Sequence, residues 1–146
     1  MQKKFALTNE TRVFGKHVLY RIKALKDFAD IKAGTLGSFI EKEDNLSHDG
    51  NCWVYDEALV FKNGHVYENA RVFGNAVTCG HIYGHARVYD NARVYENARI
   101  ANNVHVYENA NIHGIAVIRE NVGGSTKIKT YTERLSPYGE LEIVWV

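Results

Sequence analysis

Cys79, His81 and His85 stand within seven consecutive residues of this chain. Thiolate and imidazole are the side chains that hold zinc and that move protons near neutral pH. A more frequent pattern couples a cationic or imidazole side chain to a ring two positions later: Arg71 and Phe73, Arg87 and Tyr89, Arg93 and Tyr95, His65 and Tyr67, His81 and Tyr83, His105 and Tyr107. Trp53 and Tyr55 form an all-aromatic version, and Arg99 precedes Ala101 at the same spacing. Residues two apart share one side of a strand. A guanidinium grips phosphate or carboxylate in a two-pronged geometry. A ring offers its face to a base, and guanidinium on ring adds about 0.5–2 kcal/mol. The pattern suits a surface for an anionic, ring-bearing partner.

These residues are positioned by a six-residue repeat. From Val54 the chain reads VYDEAL, VFKNGH, VYENAR, VFGNAV, a short TCGH, then IYGHAR, VYDNAR, VYENAR, IANNVH, VYENAN, IHGIAV and IRENVG. That makes eleven hexads and one tetrad over residues 54–123. The first position is always β-branched: Val54, Val60, Val66, Val72, Thr78, Ile82, Val88, Val94, Ile100, Val106, Ile112 and Ile118. β-Branching favours strands. The fifth position is mostly Ala or Gly, and the fourth mostly Asn, a residue that tolerates a left-handed backbone and so suits a corner. A period of six does not follow the helical turn, and a long strand would alternate at two without Asn–Ala breaks. The pattern predicts short strands joined by tight corners, stacked in parallel, with the branched residue inward and the small residue inside each corner.

On these hexads the chain resembles the hexapeptide-repeat proteins that fold as a left-handed parallel β-helix. The resemblance implies an all-β fold, three strands and about 18 residues per coil, and a triangular cross-section. Twelve units then give about four to five coils once an upstream coil is added. The upstream run around Ile31-Lys32-Ala33-Gly34-Thr35-Leu36-Gly37-Ser38-Phe39-Ile40-Glu41 and Gly50-Asn51-Cys52-Trp53-Val54 also resembles a group of small bacterial and phage proteins that place this segment before Tyr-x-Asn-Ala-Arg-Val repeats. That group brings no single activity with it.

The chain reads as one domain of 146 residues. Residues 1–30 form an N-terminal hairpin, 31–53 an irregular first coil that caps the open edge, 54–123 the repeat column, and 124–146 a C-terminal hairpin. In that last segment Thr126–Thr132 and Glu140–Val146 alternate about a turn at Ser136-Pro137-Tyr138-Gly139. Lys plus Arg number 18 and Asp plus Glu 17, a balance unlike that of a general nucleic-acid binder. No apolar run approaches the roughly 20 residues that span a bilayer. Lys3 and Lys4 are followed by no long apolar stretch, so no signal peptide is expected, and the two cysteines are expected as reduced thiols in a cytoplasm.

With the tetrad counted as one shortened face, three outward columns follow. The first carries Trp53/Tyr55, Arg71/Phe73, Arg87/Tyr89 and His105/Tyr107. The second carries Leu59/Phe61, Val77/Cys79, Arg93/Tyr95 and Asn111/His113. The third carries His65/Tyr67, His81/Tyr83, Arg99/Ala101 and Val117/Arg119. The first column can serve as a subunit flank, as a ligand surface, or as a plain ladder of stacked rings. The resemblance implies trimers that assemble along one flank. The reading is a non-enzymatic oligomeric binding protein, a homotrimer, with a small anionic nucleotide-like ligand at the subunit boundary. In its sharper form it is a phage protein that sequesters a nucleotide signal of host defence.

One alternative is an acyltransferase, because many hexapeptide-repeat proteins transfer acyl groups with a His base. Here only residue type marks His81, His85, His105 and His113, and no insertion interrupts the hexads. A structural scaffold is another alternative. One β-helix family, the gamma-type carbonic anhydrases, holds zinc between subunits through three His. Its paired-His spacing is not reproduced by His81 and His85, so neither a metal nor a cofactor is assigned, and His85 is read as a corner residue.

Overall fold

The computed structural model describes residues 3–114, 116–130, 134–135 and 141–142. Strands β1 (Phe5–Phe14) and β2 (His17–Ala24) form an antiparallel hairpin, and β3 (Leu36–Ile40) lies antiparallel beside β2. A 3-10 turn, Glu43–Asn45, follows. The column then runs through β4 (Trp53–Val54), β5 (Leu59–Val60), β6 (His65–Val66), β7 (Arg71–Val72), β8 (Val77–Thr78) and β9 (His81–Ile82). It continues through β10 (Arg87–Val88), β11 (Arg93–Val94), β12 (Arg99–Ile100), β13 (His105–Val106), β14 (Asn111–Gly114), β15 (Val117–Ile118) and β16 (Lys127–Thr130). A last antiparallel pair joins β17 (Arg134–Leu135) to β18 (Leu141–Glu142).

The short strands stack into three parallel sheets. One holds β4, β7, β10 and β13; another holds β6, β9, β12 and β15. The third runs β3-β5-β8-β11-β14-β16 and carries the hairpin at its β3 end. The result is an all-β solenoid of about 5 turns. Among the described residues no helix is long and apolar enough to cross a membrane.

The first residue of each repeat points inward. Val54, Val60, Val66, Val72, Ile82, Val88, Val94, Ile100, Val106 and Ile112 are all 0% exposed. Each such side chain contributes about 1.5–3 kcal/mol by leaving water. The fifth-position alanines lie in the same core.

The corner differs from the sequence expectation. The left-handed residue is the third of every hexad but the last, where Glu120 is not left-handed, and it is not the Asn at the fourth: Asp56, Lys62, Glu68, Asp90, Glu96, Asn102 and Glu108 have φ between 53° and 61°. The corner is a four-residue turn closed by the fifth residue's N–H on the second residue's carbonyl, as in Ala58 N to Tyr55 O at 3.2 Å. The fourth residue then donates its N–H to the third residue's carbonyl one coil on, as in Asn75 N to Asp90 O at 2.8 Å. Gly74, Gly84 and Gly114 at the third position were the legible sign of this.

The tetrad keeps both of its strands and shortens only the corner between them, to Cys79 and Gly80. Thr78 Oγ1 accepts a bond from Gly80 N–H at 3.1 Å, which accounts for Thr in a column of Val and Ile. Register is unchanged beyond it: His81 pairs with Arg99, and Val77 with Arg93.

The hairpin does more than cap an edge. Its distal half lies over the outer surface of the β5–β8 region, where Leu19, Phe39, Leu59, Phe61, Val77 and Cys79 form a second apolar cluster outside the column. Phe14 meets Phe61 edge-on at 5.3 Å, and the Arg12 guanidinium sits 4.5 Å from the Phe39 ring. Between the hairpin and the hexads the chain runs through β3, a bridge from Leu46 to Val66, and then β4. Asn45 replaces a corner there. Its amide donates to Lys62 O and Gly64 O, and its oxygen accepts from the N–H groups of Glu41 and Lys42. At the other end, Lys127–Thr130 joins β14 as a further parallel strand rather than as a hairpin arm. The antiparallel pair is Arg134–Leu135 with Leu141–Glu142, and the expected turn at 136–139 lies outside the described residues.

Candidate functional site: the basic and aromatic columns

Parallel in-register stacking brings the first column together. Arg71 pairs with Trp53 and Arg87, and Arg87 pairs with His105. The rings two residues on stack as well. Phe73 and Tyr89 are 4.7 Å apart and 3° from parallel; Tyr89 and Tyr107 are 5.7 Å apart at 14°. Tyr55 meets Phe73 edge-on at 6.4 Å. Tyr89 Oη lies 3.1 Å from His105 Nδ1, which ties the two columns.

One residue leaves the expected set. Trp53 is 1% exposed, beneath Phe28 (5.2 Å, edge-on) and Phe5 (6.5 Å), so it cannot meet a ligand or a subunit. Outward-facing sequence position was no guide, because the segment before β3 folds over this end of the face. Tyr55 is half-covered for the same reason: its hydroxyl donates to Asp30 at 3.1 Å. Burial, against the pull of Arg71, pushes its pKa up to about 12. Arg71 lies 3.8 Å from Asp30. The open part of the face is therefore Phe73, Arg87, Tyr89, His105 and Tyr107, and Arg87 makes no ion pair among the described residues.

Stacking limits what this surface can hold. A base inserted between two rings needs roughly 7 Å, two contact distances of about 3.5 Å. The Phe73–Tyr89 separation leaves no such gap. The far face of Tyr107 is met by Gly123, where any Cβ would overlap the ring. The ring column offers edges and hydroxyls outward, with Arg87 beside it.

On the third column Tyr67 and Tyr83 stack at 4.8 Å and 10°, and the rings of His65 and His81 are 6.3 Å apart. His65 Nδ1 lies 2.6 Å from the Asp44 carbonyl, so that nitrogen carries its proton. Burial, then the Arg99 charge, then His65 hold the His81 pKa below its ordinary value. Arg99 is exposed. On the second column Arg93 donates to Tyr95 Oη at 3.3 Å, and the Tyr95 and His113 rings lie 5.2 Å apart. Cys79 is buried, and burial pushes its thiol pKa up, so it stays a neutral thiol at pH 7. Among the described residues no three His, Cys, Asp or Glu side chains converge as metal ligands.

The YdcK β-solenoid repeat model matches residues 82–96, which hold the IYGHAR and VYDNAR units and the start of the next. Over 70 residues the chain is 40% identical to a protein of Escherichia coli (strain K12) named "Uncharacterized acetyltransferase YdcK". The chain is a hexapeptide-repeat-like β-solenoid. The match covers 42% of this chain but 22% of the relative, so it spans about a fifth of that protein's length. The shared part carries the repeat, and the name's activity is said of the relative alone.

Two features of this solenoid escaped sequence reasoning. One is Lys4, fully buried, whose Nζ donates to Cys52 O at 2.7 Å and meets Cys52 Sγ at 3.3 Å. Nothing in an isolated Lys-Phe dipeptide announces it. The other is a groove of about 440 Å³ lined by Lys62, Asn63, Cys79, Tyr95, Glu96, Asn97 and His113. The missing pair of residues in the tetrad was its signal.

Proposed function

We propose that this solenoid is a non-enzymatic, oligomeric binding protein that docks copies of itself, as a homotrimer, along its first face and holds a small nucleotide-like anion at the boundary. The observation that carries this reading is Arg87, with no ion pair among the described residues, beside the Phe73–Tyr89–Tyr107 stack. Aromatic and Arg side chains dominate interface energetics, and rings already locked in a stack lose little entropy on docking. Because the ring faces are taken up by one another, the ligand's contribution is its charge: phosphate on Arg87, with Tyr89, His105 and Tyr107 supplying hydroxyl and imidazole partners. Affinity without turnover suffices for sequestration of a nucleotide signal, the role that the resemblance to phage proteins suggests.

A second reading is acyl transfer, favoured by the similarity to the protein named acetyltransferase. It would place an acyl carrier on the same kind of surface and use a histidine as base.

Light scattering on the purified chain, with calorimetric titration of cyclic dinucleotides and of acetyl-CoA, separates them. The expected result is one trimer mass, heat with a cyclic dinucleotide, and for Arg87→Ala a loss of that heat with the circular-dichroism spectrum unchanged. A monomer that gives no heat with any nucleotide refutes the binding reading. Heat with acetyl-CoA alone, followed by acetyl transfer that a single His→Ala change abolishes, moves the assignment to the second.

A further inference from the structure

The tetrad removes a corner from one edge of the solenoid. Along the edge between the second and third faces the corners are Lys62–Asn63, the stub Cys79–Gly80, then Glu96–Asn97. Where the next coil has a full corner, each fourth-position N–H finds that corner's third-position carbonyl; Asn103 N–H, which faces a second shortened corner between Ile118 and Val122, has no partner among the described residues. Glu57 donates to Gly74, Asn69 to Gly84, Asn75 to Asp90, His85 to Asn102, Asn91 to Glu108, and Asn97 to Gly114, all within 2.7–3.0 Å. The carbonyl that Asn63 N–H would meet belongs to the missing corner, and Asn63 N–H has no partner among the described residues. The N–H that the Glu96 carbonyl would receive is missing too, and that carbonyl accepts none among the described residues. Glu96 N–H is satisfied instead by Cys79 Sγ at 3.1 Å, which fixes the floor of the gap.

The groove of about 440 Å³ occupies this place, within the size range of small-ligand sites. It asks for one carbonyl facing Asn63 and one N–H facing Glu96, which is what the absent corner would have presented. Asn63 and Glu96 are exposed, so water serves these groups in the open groove, and a ligand that completes the ladder gains about 0.5–1.5 kcal/mol for each bond it makes. Lys62 stands at the Asn63 side as an exposed cation with no ion pair among the described residues. The Tyr95–His113 ring pair forms a wall, with His113 Nε2 held by Asn111 Oδ1 at 3.0 Å.

We infer that the gap left by the tetrad is a binding site for a small peptide-like ligand, an amide of dipeptide size with a carboxylate, whose C=O meets Asn63 N–H, whose N–H meets the Glu96 carbonyl, and whose carboxylate meets Lys62. It stands apart from the first-face surface and does not depend on it.

The test is an amide-resolved NMR titration of the full chain with N-acetylglycylglycine and with its methyl ester. Ligands this small bind at about millimolar strength, so titration runs to roughly 10 mM. Saturable shifts centred on Asn63, Cys79 and Glu96 are expected, with at least about tenfold weaker binding of the ester and of the free acid to Lys62→Ala. Inserting Glu-Asn between Cys79 and Gly80 restores a full corner and is expected to abolish the shifts. Lys62→Ala keeps the test decisive if that insertion does not fold. No shift at those amides with either compound, or equal binding of acid and ester to both wild type and Lys62→Ala, overturns the inference.

Discussion

Glu108 holds φ 54° at an exposed corner, and it does so because the solenoid dictates the backbone and leaves the side chain free. The left-handed region costs an L-residue about 1–2 kcal/mol. Glu68, Asp90, Glu96 and Asn102 bear the same strain. Some of it is offset locally: Asp56 Oδ2 accepts from Gly74 N–H and Asp90 Oδ2 from Glu108 N–H, both at 3.0 Å, so an Asp at the third position caps the next coil. The fourth position has negative φ and spends its N–H on the ladder. Glycine should therefore act oppositely at two adjacent sites. Glu108→Gly relieves strain that exceeds glycine's entropic cost and should raise stability by about 0.5 kcal/mol. Asn109→Gly gains nothing and should lower it by roughly 0.5–1 kcal/mol. Urea midpoints of the two variants decide this. Equal destabilisation by both would mean that the third position is not the strained one.

At the level of elements, the hairpin and the second face stabilise each other. Phe61 is 4% exposed although its hexad position points outward, and it touches Phe14 and His17 on the hairpin and Tyr95 on the column. Truncating a buried Phe costs about 3–5 kcal/mol. Phe61→Ala should lower stability by about 3 kcal/mol, with the loss concentrated in the hairpin. Hydrogen exchange should show faster exchange at the distal amides of β1 and β2 while β10 and β13 stay protected. Uniform loss across all three faces would place Phe61 in one cooperative unit with the column. The same elements mark how far the residues alone could lead. The column was legible because every sixth side chain repeats one environment, so the three outward sets could be read off in order. The covering of Trp53 and Phe61 was not, because it depends on contacts between residues 25–48 positions apart that no local period encodes. The apolar run Leu59, Phe61 and Val77 at outward positions was a readable hint that something lies over the second face. Within the candidate site, the stacked rings followed from the repeat, whereas the groove required knowing that the tetrad shortens a corner and leaves the strands whole.

For the whole molecule, in-register stacking means that each side chain meets its counterpart from the coils above and below, and chemistry is multiplied along the axis. Rings profit from this, as Tyr67 and Tyr83 do. Ionisable groups do not: His65, His81 and Arg99 follow one another on the third face, in paired register. Burial, the Arg99 charge and His65 together hold the His81 pKa below 6.5. The sign follows from proton counting. As pH falls below about 6.5 the unfolded chain takes up a proton that the folded chain still refuses, so the unfolded state is favoured. Stability is complete above that pH and is lost as pH falls through the lower, folded pKa. A separate loss begins below about 4.5. For Glu41 burial works toward a higher pKa, but bonds from His17 and from Lys62 N–H outweigh it; for Glu43 the Lys3 bond leads, and both pKa values are lowered. The acid limb should therefore have two parts, and only the first belongs to the histidine column. His81→Gln keeps a polar side chain without a titrating ring. It should flatten the decline that sets in below about pH 6.5 and leave the decline below about 4.5 in place. Denaturant midpoints of wild type and His81→Gln at pH 7.5, 5.5 and 4 make the comparison. Parallel curves for the two proteins over the whole range would show that the stacked cations do not govern stability, and that the column tolerates charge on charge.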